Sequence, residues 1–311
     1  MSLMPSERPS RTATKIAGFM LLLDSVPRLA PVLPPGAAVE AEAILRASGA
    51  VPRLHVELQR TRLTVRFYEA TERLLGQGQL LWFGVRKRWM REVVEQAIAE
   101  GARQVLVVGA GFDPLAVSVA RRHPDVTCVE VDAPATAEPK RAGIQGGGLA
   151  CPNHVVLAAD LAKKPLEAVL GAAGWRVDVR SVVVAEGLLM YLAPAQVSAF
   201  LAQVRACTSP GSRLAFSSMD SDEEGQPRLL FAGRLLGRAI RSALRLAGEP
   251  LRWGIAPSAV PPFLTTAGYR VLDQPTPRML RERFLTPHGL AEEPLAPYEH
   301  LVLAEVRDSA G

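Results

Sequence analysis

A chain of 311 residues, 48% hydrophobic and 22% charged, has enough apolar material for one large core, and its length allows one or two domains. Its 36 basic and 31 acidic residues leave a net charge of +5, too mild to argue for nucleic-acid binding, and no apolar run approaches the roughly 18–20 residues of a membrane span. The opening residues lack the charged, apolar and small-residue order of a signal peptide, and Cys128, Cys151 and Cys207 are scattered without metal-ligand spacing, which points to reduced thiols in a cytoplasmic protein.

Residues 1–13 read as a loose polar tail, and 14–80 as helices interrupted by prolines at 31, 34 and 35. From Trp89 to Glu100, apolar residues recur at helical spacing (Trp89, Val93, Ala97) and stop at Gly101, a natural C-cap. The period then changes. Val105 to Val108 is a short valine-rich run that reads as a buried parallel strand, and Gly109-Ala110-Gly111 follows at once. A helix is predicted over Pro114–Arg122, with proline in the first turn where its missing N–H costs nothing. Further strands are predicted at Val126–Val131, Val155–Ala158, Val182–Ala185, Arg213–Ser217, Tyr269–Leu272 and His300–Val306, with helices at Pro165–Leu170 and Pro194–Cys207. Strands alternating with helices imply an α/β fold, a mostly parallel sheet covered on both faces. Pro227 to Trp253 is extra material and reads as an inserted helical cap.

The run Val105-Leu106-Val107-Val108-Gly109-Ala110-Gly111-Phe112-Asp113 is a strand, a glycine turn and a helix start, in which glycine lets the backbone turn sharply beside a ligand. A dinucleotide turn wants a third glycine where this chain has Pro114. Asp113 also places an anion where a pyrophosphate would approach the helix, which disfavours NAD and favours a cofactor bearing a cationic sulfonium and ammonium, S-adenosylmethionine. The second strand ends in Glu130-Val131-Asp132, and either Glu130 or Asp132 could hydrogen-bond both ribose hydroxyls. Asp160-Leu161 closes the third strand, where the aspartate could bond an adenine amino group and the leucine pack against the ring. The fourth strand runs into Glu186-Gly187-Leu188-Leu189-Met190-Tyr191-Leu192, which places Glu186 over the cofactor, because ligands of such sheets sit beyond the carboxyl ends of the strands.

Together these motifs resemble the leucine carboxyl methyltransferase family and its bacterial small-molecule O-methyltransferase relatives, well over Arg86 to Asp220 and loosely in the C-terminal strands. The matching segments are Gly109-Ala110-Gly111-Phe112-Asp113, Glu130-Val131-Asp132-Ala133-Pro134 with Lys140 following, Asp160-Leu161 and Glu186 to Leu192. The resemblance implies a class I methyltransferase fold, Rossmann-like, with a mostly parallel seven-stranded sheet. It further implies residues 1–85 as an N-terminal helical extension contributing to the active site, 86–311 as the S-adenosylmethionine-binding domain, and a cap over about 226–256. It implies Asp132 as the ribose acid, Asp160 and Leu161 as adenine contacts, Glu186 beside the methionine part, and Arg86, ahead of the helix before the glycine turn, as the grip on the cofactor carboxylate. Lys15 matches a family lysine with a similar role. Departures from the relatives are Arg91, where they often carry an acid, and Pro114-Leu115-Ala116, where an arginine is common.

The expected activity is methyl transfer from S-adenosylmethionine to a carboxylate or hydroxyl of a small molecule, acidic or carrier-bound. The alternatives are a protein or peptide C-terminal carboxylate as acceptor, or a non-catalytic S-adenosylmethionine-binding protein. A carboxylate needs no general base, whereas a phenol or alcohol does. His55, His123, His154, His288 and His300 are dispersed and adjoin no motif at the strand ends, which leans towards a carboxylate. Tyr191 is the polar group expected to face the acceptor. In the cap, Arg234, Arg238, Arg241 and Arg245 form a helical stripe suited to an acidic acceptor, a carrier surface or an anionic membrane.

Overall fold

The computed structural model describes residues 9–75, 77–221, 227–228, 250–296 and 299–308. Among them, helices α1 (Arg11–Asp24), α2 (Ala37–Ser48), α3 (Arg53–Leu58), α4 (Arg62–Leu75) and α5 (Gln79–Ala99) precede the first strand. Then follow β1 (Gln104–Val108), α6 (Leu115–Arg122), β2 (Thr127–Asp132), α7 (Pro134–Gly146), β3 (His154–Ala158), α8 (Leu166–Leu170), β4 (Ser181–Ala185), α9 (Pro194–Ala206) and β5 (Arg213–Met219). The chain closes with α10 (Val260–Thr266), β6 (Tyr269–Asp273), α11 (Pro277–Phe284) and β7 (Glu299–Val306).

The strands form one seven-stranded sheet in the order β3-β2-β1-β4-β5-β7-β6. β1 to β5 pair in parallel, and β7 runs antiparallel between β5 and β6. The order reverses between β1 and β4, which opens a crevice at their carboxyl ends. β1, β4 and β5 are buried along their whole length, their apolar centres (residues 105–108, 182–185 and 214–216) suiting strands covered on both faces. One core layer lies under α1, α2 and α5 to α7, and the other under α8, α9 and α10. This is the seven-stranded, helix-covered α/β sheet expected from the sequence.

Some elements depart from the sequence reading. The polar N-terminal segment becomes helix from Arg11, because Ser10 Oγ accepts the Ala13 N–H at 3.1 Å and caps the first turn. α5 starts ten residues before the predicted helix and runs unbroken through the 85/86 boundary, carrying Arg86 inside it. α7, α10 and α11 form although each holds proline, with one in the first turn of all three; α7 carries Pro139 in its interior as well. The arginine stripe of the cap lies outside the described residues, and the flanking residues 227–228 and 250–256 form no helix.

α2 packs on α7 through small residues. A Cβ at Gly143 would lie 2.5 Å from the Ile44 carbonyl oxygen, so glycine is what permits that approach. Gly143→Ala is expected to force the helices apart and lower stability by about 1–3 kcal/mol, read from urea unfolding; an unchanged midpoint would show that α2 shifts freely.

Candidate active site at the carboxyl ends of the strands

β1 ends in the glycine turn. Gly109 and Gly111 adopt φ of +70° and +50°, which L side chains rarely take, and a Cβ at Gly111 would come within 3.0 Å of Ala13 in α1. The N-terminal helix therefore rests directly on the turn. Asp132, at the end of β2, straps it from the other side: Gly111 N–H donates to its Oδ2 and Ala133 N–H to its Oδ1, both at 2.7 Å. Burial lifts the Asp132 carboxyl above its ordinary pKa, and these two N–H groups oppose the rise.

Glu130, two residues earlier, is withdrawn from the candidates. It is fully buried, with Lys140 Nζ on one oxygen and His154 Nε2 at 2.9 Å from the other. Lys140 also donates to the carbonyls of Asp113 (2.7 Å) and Ala110 (3.3 Å). The pair is an internal brace that joins β2 to the glycine turn.

Over the β1–β4 crevice lies a buried charge cluster. Arg86 Nε donates to Glu186 Oε1 at 2.7 Å, its Nη1 pairs with Glu299, and its guanidinium stacks 5.0 Å from the Phe83 ring centre. Lys87 Nζ lies 2.5 Å from Asp113 Oδ2 and 2.7 Å from Glu186 Oε1. Against the burial that raises it, Lys87 holds the Asp113 carboxyl below the ordinary range. This corrects the argument from Asp113. Its charge is neutralised and its Oδ1 caps Leu115 N–H at 2.9 Å, so it does not stand as a bare anion against phosphate. Glu186 Oε2 and Glu299 Oε2 are both buried without a hydrogen-bond partner among the described residues.

The remaining candidates lie on the same rim. Asp160 is partly exposed after β3, where its Oδ1 accepts Ala162 N–H at 3.0 Å, and Leu161 packs on the α8–α9 core layer. Tyr191 is partly exposed in a 3-10 turn, Leu189–Tyr191, that follows β4. Lys15 is exposed on α1 with its Nζ 5.3 Å from the Phe19 ring centre.

Sequence reasoning missed Lys87 and Glu299. It also judged His300 remote from the strand ends. Because β7 is antiparallel, its first residues lie at the rim: Glu299 is opposite Met219 and His300 opposite Ser218, at the carboxyl end of β5. His300 Nε2 is buried without a partner among the described residues, and burial lowers its pKa against the Asp220 and Glu299 carboxylates. A strand reading of His300–Val306 had the signal, but not its direction. Among the described residues, no three His, Cys, Asp or Glu gather as a metal site requires, and no helix is long and apolar enough to cross a membrane.

Known proteins resemble this chain over part of its length. A Streptomyces coelicolor protein provisionally named an S-adenosyl-L-methionine-dependent methyltransferase is 33% identical over 135 residues, 43% of this chain and 47% of that protein. A Mycobacterium avium protein with the same provisional name is 32% identical over 143 residues, 45% of this chain and 46% of its own length. The chain thus spans about half the length of the curated relatives it matches. An O-methyltransferase family protein from Burkholderia thailandensis superimposes with a TM-score of 0.46 at 17% identity, covering 90% of this chain and 72% of that one. The family model described as leucine carboxyl methyltransferase matches residues 41–205, from α2 to the end of α9, and on that match over more than half its length the chain belongs to the leucine carboxyl methyltransferase family.

Proposed function

We propose that the protein is an S-adenosylmethionine-dependent O-methyltransferase acting on a carboxylate or hydroxyl of a small molecule. The observation that carries this is convergence: the glycine turn, Asp132 and the Arg86–Lys87–Glu186 cluster lie at the carboxyl ends of β1, β2 and β4, on the crevice where the strand order reverses. The residues fit the cofactor. Asp132 is held at the end of β2, where it would take the ribose hydroxyls, and Asp160 with Leu161 would meet the adenine. Glu186, with one buried oxygen unpartnered beside two buried cations, suits a zwitterionic methionine end. When bound, the cofactor supplies an electrophilic methyl group. The protein's share is alignment, which can supply about 7–11 kcal/mol of such a barrier. On this reading residues 1–85 complete the site, since α1 lies on the glycine turn.

The acceptor class turns on His300. A carboxylate is ionised at neutral pH and needs no base. A hydroxyl does, and a histidine kept neutral by burial at the β5 rim is suited to receive its proton. Both classes therefore stand, with Tyr191 as the polar group offered to either.

The test is calorimetric titration with S-adenosylmethionine beside an NAD control. Micromolar binding of the methyl donor and none of NAD is expected, followed by labelled methyl transfer to a panel of carboxylic acids and phenols. NAD binding, or a folded protein that binds neither, overturns the assignment.

A further inference from the structure

We propose that Glu299 is a second carboxylate receptor for the ammonium group of the bound cofactor, acting across the site from Glu186. This rests on the cofactor reading above and adds to it a residue from the last strand. The cluster holds two cations, Arg86 and Lys87, against three carboxylates, Asp113, Glu186 and Glu299, so one negative charge is left over. Of the nearby cations, Lys140 is fully buried against Glu130, while Arg91, one turn further along α5, faces Glu95 at 3.6 Å and keeps its Nε buried without a partner among the described residues. The Glu186 and Glu299 side chains are each 7% exposed, and each spends one oxygen on Arg86 while the other stays buried and unpartnered.

Two desolvated carboxylate oxygens with no donor are costly unless a cationic donor meets them. An ammonium group carries three N–H donors and one positive charge, so it can bond both oxygens and cancel the surplus. A neutral N–H group could bond the oxygens but would leave the surplus charge buried. Arg86, gripped from both sides, sets the separation of the two carboxylates, and Lys87 lies beside it between Asp113 and Glu186. The arrangement alternates in sign, as an amino-acid zwitterion does.

The experiment measures calorimetric affinities of the wild-type protein and Glu299→Gln for S-adenosylhomocysteine and for its analogue in which hydrogen replaces the amino group. The homocysteine compound lacks the sulfonium, so the comparison isolates the ammonium. Wild-type protein is expected to prefer the amino compound by at least about 30-fold, and Glu299→Gln, which keeps an oxygen for Arg86, to cut that preference by about tenfold. Wild-type protein that binds both compounds alike overturns the proposal without any variant, so a misfolded Glu299→Gln cannot rescue it. An undiminished preference in a folded Glu299→Gln assigns the ammonium to Glu186 alone and equally overturns it. A folded wild-type protein that binds neither compound overturns the cofactor reading, and this inference with it. That result is distinct from loss of the preference alone.

Discussion

Asp132→Ala is expected to weaken binding of S-adenosylmethionine by more than about 100-fold while the protein stays folded. Hydrogen bonds to a charged group contribute about 1.5–3 kcal/mol each, and two ribose hydroxyls lose theirs together, which converts to at least two decades of affinity. A second loss adds to the first. The same carboxylate anchors Gly111 N–H and Ala133 N–H, so its removal frees the glycine turn from β2. Asp132→Asn separates these roles, since the amide keeps an acceptor for Gly111 but presents no charge to the ribose, and an intermediate loss is expected. Calorimetry beside a thermal melt decides it: affinity within threefold of wild type in a folded Asp132→Ala protein would remove Asp132 from the site.

The largest effect on stability is expected at Lys140. Its ammonium is fully buried and serves Glu130 and the carbonyls of Ala110 and Asp113. Lys140→Met leaves the Glu130 carboxylate buried with His154 as its remaining partner, and breaking a buried pair from one side costs about 3–5 kcal/mol. The double variant Lys140→Met with Glu130→Gln removes the stranded charge and is expected to recover more than half of that loss, as measured by urea unfolding. Cofactor affinity is not expected to recover with it, because the turn's two carbonyls remain without their donor. A double variant no more stable than the single one would show that the brace matters through packing alone.

Much of the fold was legible in the sequence, because buried parallel strands leave valine runs that few other elements produce. The helices were harder. α7 carries an internal Pro139 and mostly small residues, so no apolar stripe marks it, and it is identified by the way Gly143 and Gly147 admit the α2 backbone. In the site, motifs near the glycine turn were readable because their spacing is local. The choice between Glu130 and Asp132 was not, since strand alternation puts both on one face and depth alone separates them. Lys87 and Glu299 were invisible for a different reason. Each gains its meaning from a residue far along the chain, Lys87 from Asp113 and Glu186, and Glu299 from Arg86, 213 positions away.

The insertion of β7 between β5 and β6 has a bearing on how the protein comes into being. Strands of a parallel sheet can pair as they leave the ribosome, but β7 is the last of the seven to be made and takes an interior place. Until it arrives, β5 and β6 have no common neighbour, and Arg86 has only Glu186 to face. Such distant pairing forms late and slowly. The charge cluster is therefore complete only with β7 in place: a nascent chain can possess every glycine and aspartate of the cofactor motifs and still lack Glu299.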